Sequence, residues 1–212
     1  MKTIGSMVLL WVVAFLSSCA GMQVSSEVNS GRQAFLIGRN DEANGYFRSA
    51  EQKDPNYVYG TALRQGIWSY IGRSEYAAGR YPQAREALER ALSANKEENI
   101  ARLYLGMTLA QAGDRQRGLQ EIEGGLKGLQ SWLEYTTQTF RYSFGRFWDP
   151  GNELRAAISG ELAMLSAREL DWQKVIADSE WLGKRFEEES DRARRQESAE
   201  ISQDSGGRDS QP

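Results

Sequence analysis

Between Trp68 and Lys96 the chain carries a spacing that leaves few folds open to it. Trp68 and then Ile71-Gly72 mark a first helical stretch, and Gly79 and Tyr81 mark a turn. Ala84, Leu88 and Ala91 follow at the spacing of a second helix, which Lys96 closes. Small and apolar residues three and four apart lay one stripe along each helix. The glycine between them permits a backbone turn that other residues resist. The same order returns as Leu105-Gly106, Gly113, and then Gly118, Ile122 and Gly125. One such helix pair cannot bury its own apolar face, so it needs neighbours of the same kind. The chain is expected to be all-α and built by repetition.

These residues resemble the tetratricopeptide repeat, whose pattern W-x₂-L-G-x₂-Y…A-x₃-F…P recurs about every 34 residues. The central unit departs at Glu75, which takes the Tyr position with Tyr76 beside it, and at Lys96, which stands for Pro. Counted in register, repeats begin near Val24, Gln65 and Asn99, so the intervals are 41 and 34 residues. The first repeat is partial. Gly31 and Gly38 take its small positions, Ala43, Phe47, Ala50 and Pro55 take its second helix, and Glu27 replaces Trp. Seven extra residues make nearly two helical turns. They predict either a helix from Asp54-Pro55 through Tyr57 and Tyr59 into Trp68, or a separate short one. In the third repeat, glycines 118, 124, 125 and 128 each cost about 1 kcal/mol relative to Ala. Close helix–helix approach is the expected compensation, and a locally soft segment is the competing expectation.

Composition excludes several chemistries. The 212 residues contain no histidine and one cysteine, with a net charge of -3. Histidine acid–base catalysis and histidine metal ligation are thereby removed, as are intramolecular disulfides. The mildly acidic balance argues against a general nucleic-acid binder, which would carry a basic stripe. No cofactor is implied.

The N-terminus reads as an address. Lys2 precedes the apolar run Met7 to Leu16, which is too short to span a bilayer and suits a signal-peptide core. The run ends in Leu16-Ser17-Ser18-Cys19, which resembles a bacterial lipobox. That resemblance implies that Cys19 becomes the first mature residue and carries the lipid. It also accounts for a lone thiol in an exported chain. Ala20 after the cysteine resembles lipoproteins sorted to the outer membrane of a Gram-negative cell. Residues 20–30, with Ser, Asn and Gly and little periodicity, read as a tether reaching about 36 Å at about 3.3 Å per residue.

From Gln130 the repeat pattern breaks. Trp132, Thr136, Phe140 and Phe144 share one helical face, and Asp149-Pro150-Gly151 signals a turn. Asn152 is the expected N-cap of a helix carrying Leu154, Ile158, Leu162 and Leu165. A second helix is expected from Asp171 through Trp172, Val175, Ile176, Leu182 and Phe186, and this hairpin resembles a fourth, diverged repeat. Past Phe186 the sequence is mostly charged, through Glu189 and Arg195, as a solvated helix end would be. The organisation read from the chain is a signal peptide over 1–18, a lipidated tether over 19–30 and repeats over 31–130. An aromatic insert with a helical hairpin follows over 131–198, and a disordered tail over 199–212.

Two surfaces are candidate partner sites. The resemblance implies a concave groove lined by Arg32 and Phe35 in the first repeat. Ser69, Arg73 and Tyr76 would line it in the second, and Leu103, Met107 and Ala110 in the third. Ser69 and Arg73 occupy the family's carboxylate-clamp positions, so a reader of C-terminal tails is disfavoured. Mostly apolar with a basic spot, such a groove suits a peptide or helix. Its anchors should be removable at little cost to stability. Packing of the same residues against the charged C-terminal helix is the competing expectation. The second candidate is Arg146, Phe147 and Trp148, either an exposed aromatic anchor beside a cation or a plug between the third repeat and the last hairpin. Aromatics at helical spacing favour the plug.

The leading functional expectation is a lipid-anchored, non-enzymatic scaffold of the cell envelope. It would bind another envelope protein or peptide as an accessory to secretion, pilus or outer-membrane assembly. A structural subunit of an envelope complex is the alternative. A carboxylate-dependent enzyme acting on peptidoglycan is a distant third, because Glu97-Glu98 and Glu187-Glu188-Glu189 read as solvated, with no apolar pocket to raise a pKa.

Overall fold

A glycine at the end of a helix lets the chain turn back on itself, and the computed structural model places one at each end the repeat requires. Residues 21–166 and 169–208 are described, with side chains through residue 203. They form two units that divide between Ala91 and Leu92. Gly38, Gly79 and Gly113 have φ of +79°, +74° and +98°. In each case the following N–H donates to a carbonyl five residues back: Arg39 to Ala34, Arg80 to Glu75 and Asp114 to Leu109, all at 2.9 Å. This is the six-residue cap that satisfies carbonyls orphaned at a helix end. The glycines recur at the intervals of 41 and 34 residues read from the sequence.

The first unit contains α1 (residues 21–36), α2 (Asn40–Lys53), a two-stranded hairpin, α3 (Ile67–Ala77) and most of α4 (Tyr81–Ala94). The expected tether over 19–30 is corrected here: residues 21–30 are helical. Val24 and Val28 are buried, one turn apart, and continue through Gly31 to Phe35 as a single stripe. A Cβ on Gly31 would stand 2.5 Å from the Phe47 ring, so α1 and α2 are in close contact. Cys19 and the segment read as a signal peptide lie outside the described residues.

The seven extra residues do not extend a helix. They build β1 (Val58–Tyr59) and β2 (Gln65–Gly66), antiparallel, with Tyr59 opposite Gln65. Asp54 ends α2 and starts a turn, its carboxylate accepting from Asn56 N at 3.0 Å. Gly60 then reverses the chain at φ +92°, where a Cβ would lie 2.2 Å from Leu63 O. These two turn-formers override the helical expectation for Pro55 to Tyr59.

The second unit contains α5 (Asn99–Gln111), α6 (Arg115–Thr139), a 3₁₀ turn (Phe144–Phe147), α7 (Glu153–Leu165) and α8 (Trp172–Arg208). Of the third repeat's glycines, Gly106, Gly118 and Gly125 serve close backbone approach, whereas Gly124 meets only the Arg102 side chain and Gly128 only that of Asn99. A Cβ on Gly106 would stand 2.5 Å from Ile122 N, and one on Gly118 would stand 2.9 Å from Ala110 N. The boundary expected at residue 130 is corrected, because α6 runs unbroken past Gln130 to Thr139. Leu126, Leu129, Leu133 and Thr136 keep its stripe buried across that point.

The α7 start is also corrected in part. Asn152 holds the N-cap position at φ +58° without a side-chain cap bond. The Asp149 carboxylate caps instead, accepting from Leu154 N at 2.9 Å and Arg155 N at 3.2 Å. At the start of α8, Asp171 accepts from Gln173 N and Lys174 N. The charged stretch beyond Phe186 is not a solvated end: Glu187, Glu189, Asp191 and Ala193 are all buried. The helix then continues to Arg208, where a disordered tail was expected. No helix among the described residues is long and apolar enough to cross a membrane.

Candidate functional site

The residues expected to line a groove are buried, every one. In the first unit, Arg32 and Arg73 are each 1% exposed, and Phe35, Ser69 and Tyr76 are buried with them. Arg32 donates to the Tyr59 hydroxyl at 2.7 Å and sits 4.3 Å over that ring. Arg73 donates to Gln65 Oε1 at 2.7 Å and lies 5.0 Å over Phe35 and 5.2 Å over Tyr70. Tyr76 packs on Tyr81, their centroids 5.8 Å apart. Two cations, held over aromatic faces, thus tie α1, the β-hairpin and α3 into one core.

Beside them Glu75, the departure from the repeat pattern, is also buried. Burial pushes its carboxyl up, but hydrogen bonds from Arg80 and Arg48 outweigh this and hold it below the usual range. In the second unit, Leu103, Met107 and Ala110 are buried as well. The expectation of exposed groove anchors is therefore corrected. A sequence position specifies a helix face, but what covers that face is decided by segments far away in the chain.

At the aromatic turn the structure separates residues that the sequence had grouped. Trp148 is buried, edge-on to Trp132 with centroids 4.7 Å apart, and Trp132 also meets Phe186 of α8. Phe147 is half-buried, and its carbonyl accepts from Arg192 at 2.6 Å. Glu189 accepts from Asp149 N and also pairs with Arg192, which ties the turn to α8. Arg146 is exposed and pairs with Glu200.

The solvent-facing part lies a few residues earlier. Tyr135 is 60% and Tyr142 83% exposed, and Arg141 stands 4.7 Å over the Tyr142 ring. Phe140 stacks on Phe144 at 4.5 Å and meets Tyr135 edge-on. Trp148 is thus a plug, and Tyr135, Arg141 and Tyr142 form the exposed aromatic patch.

A buried carboxylate went unnoticed in the sequence. Glu161 on α7 is 2% exposed; Ser179 of α8 donates to its Oε1, while Oε2 has no hydrogen-bond partner. Burial pushes its carboxyl up to about 7; the Ser179 bond opposes this, Asp178 reinforces it and Lys174 weakly opposes it. A signal existed. Leu154, Ile158, Glu161 and Leu165 lie at successive four-, three- and four-residue steps, which places Glu161 on the apolar stripe. The glutamate clusters that the sequence did suggest are corrected as well, since Glu98, Glu187 and Glu189 are buried rather than solvated.

A test of Glu161 follows from its titration. Above about pH 4.5 the unfolded chain releases this proton, while the fold retains it up to about 7. The fold therefore binds more protons in that window, and stability falls as pH rises through it. The contribution is on the order of 3 kcal/mol. Urea unfolding at pH 5 and pH 8 should show Glu161→Gln stabilised relative to wild type at pH 8 but not at pH 5. An unchanged difference between the two would contradict the burial.

Among the described residues, no cluster of three or more His, Cys, Asp or Glu side chains could hold a metal ion. Comparison with curated proteins finds no match, and comparison with solved structures finds none either. Comparison with protein families matches the tetratricopeptide repeat over residues 71–124, about a quarter of the chain. That stretch begins at Ile71-Gly72 and contains the caps at Gly79 and Gly113, with the Gly106–Gly118 approach between α5 and α6. Residues 71–124 thus match a tetratricopeptide repeat, and with the described helix pairs on either side the fold is an all-α, tetratricopeptide-type helical repeat.

Proposed function

We propose that this chain is a lipid-anchored scaffold of a bacterial cell envelope, held through Cys19 to the outer membrane and facing the periplasm. It docks another envelope protein and catalyses no reaction. The observation that carries the docking role is the exposed patch of Tyr135, Arg141 and Tyr142, beside aromatic neighbours that are packed away. Tyr and Arg are the residues enriched at interface centres, because they bring large area and fixed donors at modest entropic cost. The tetratricopeptide match supports a protein-binding role of this kind. Assistance in secretion, pilus or outer-membrane assembly fits such a scaffold.

The test has two arms. Cys19→Ser should leave the protein unprocessed or extractable by carbonate, because two acyl chains give stable anchoring and none gives no anchor. A photoreactive residue at position 142 should crosslink in cells to one protein, and Arg141→Glu should abolish the product. The same residue at exposed position 201 should give nothing. Tight membrane retention of the serine variant would refute the anchor, and equal crosslinking from both positions would refute the patch.

A further inference from the structure

α7 and α8 leave a cavity of about 380 Å³ between them, and Glu161 forms part of its wall. That volume lies at the lower end of the range of about 300–1,000 Å³ for small-ligand pockets. Ala157, Met164 and Leu182 supply apolar wall, and Trp181, 43% exposed, stands at the mouth. Lys174 and Asp178 complete the lining, with Lys174 Nζ held on Asp178 Oδ2 at 2.6 Å. From these residues we infer that the cavity is a binding site for a primary alkylammonium group, supplied as the lysine side chain of a partner polypeptide.

Three features select that guest. Glu161 Oε2 is a buried acceptor without a donor, and a buried polar atom left unsatisfied is destabilising until a donor reaches it. With Glu161 ionised, the lining carries two carboxylates and one ammonium, so it lacks one positive charge. The apolar walls and the Trp181 ring suit an alkyl stem passing an aromatic face on its way to a carboxylate. A guanidinium fits less well. Its five donors in a fixed fork would meet one buried acceptor atom and apolar carbon. The half-exposed Trp181 at the mouth allows the guest to be tethered to a backbone outside. This site is separate from the Tyr135–Tyr142 patch, and either can fail without the other.

The charged groups facing Glu161 are Lys174 and Asp178 on α8. Binding of a cation requires the ionised glutamate, so affinity should rise between pH 6 and pH 8. The experiment uses the full chain labelled with ¹³C-methyl methionine, following the Met164 methyl signal. Butylammonium chloride should shift it saturably at millimolar concentration at pH 8, and at least tenfold more weakly at pH 5.5. Butyramide, its neutral counterpart, should give no saturable shift. Glu161→Gln should weaken butylammonium at least tenfold, and Trp181→Leu several-fold. A blocked Gly-Lys-Gly peptide should bind at least as well as butylammonium.

No saturable shift with butylammonium, equal binding of butyramide, or undiminished affinity in Glu161→Gln would each overturn the site. Binding of butylammonium with exclusion of the lysine peptide would overturn the partner. Should Glu161→Gln fail to fold, Trp181→Leu still decides, since unchanged affinity there refutes the pocket.

Discussion

Trp148→Ala should lower the stability of this protein by about 3–5 kcal/mol, as other truncations of a buried large ring do. Trp148 is 4% exposed and stands edge-on to Trp132 at 4.7 Å, in contact geometry worth about 0.5–1.5 kcal/mol beyond its buried area. The consequence extends past the ring. Flanking atoms of the same turn hold α8, since Phe147 O accepts from Arg192 and Asp149 N donates to Glu189. Asp149 also caps α7. Loosening the turn therefore uncaps one helix and releases the buried part of another.

Chemical denaturation followed by circular dichroism measures the loss. Hydrogen exchange should place the earliest opening in α8 beyond Phe186. Trp148→Phe should recover part of the loss, and a double-mutant cycle with Trp132→Ala should give coupling of about 0.5–1.5 kcal/mol. A Trp148→Ala variant within 0.5 kcal/mol of wild type, the range of an exposed site, would return this residue to the docking surface.

What the sequence made legible was local. Gly38, Gly79 and Gly113 announce their turns because a cap of that kind needs one residue of positive φ within a few positions. The crowding of Gly106, Gly118 and Gly125 signalled close approach for a similar reason, since no larger residue tolerates a backbone 3 Å away. Non-local pairings could not be read. Glu189 is buried because it meets the amide of Asp149, forty residues earlier. Nothing around Glu189 in the chain distinguishes it from a solvated glutamate.

The α1 segment failed differently. Its Ser and Asn content suggested a tether, yet Val24, Val28, Gly31 and Phe35 carry a helical stripe that composition obscured. At Glu161 the apolar stripe runs through a polar residue, and that conflict is what marks the position as a candidate site. The aromatic turn was read only as a segment. Which of its rings faced solvent depended on where α8 packs.

Arg73→Ala carries the other large effect, and it reverses the expectation for a groove anchor. A guanidinium at the centre of an interface could be removed with loss of a partner and little loss of stability. Here Arg73 is 1% exposed, bonded to Gln65 of β2 and set over the rings of Phe35 and Tyr70. Truncation removes those contacts together and leaves a void bordered by α1, α3 and the hairpin. Large-to-small changes at such sites, and the breaking of buried polar networks, cost about 2–5 kcal/mol. Against a total of about 5–15 kcal/mol for a natural domain, that removes a large share of the stability.

Urea midpoints for Arg73→Ala and for exposed Tyr142→Ala give the contrast, because the latter should stay within about 0.5 kcal/mol of wild type. Arg73→Lys should fall between the two, keeping the charge but losing the planar fork that lies over two rings. The crosslink from position 142 adds the functional side: Tyr142→Ala should lose the partner while fully folded. If instead Arg73→Ala unfolds at the wild-type urea concentration and fails to bind the partner, the binding surface is the one lined by Arg73.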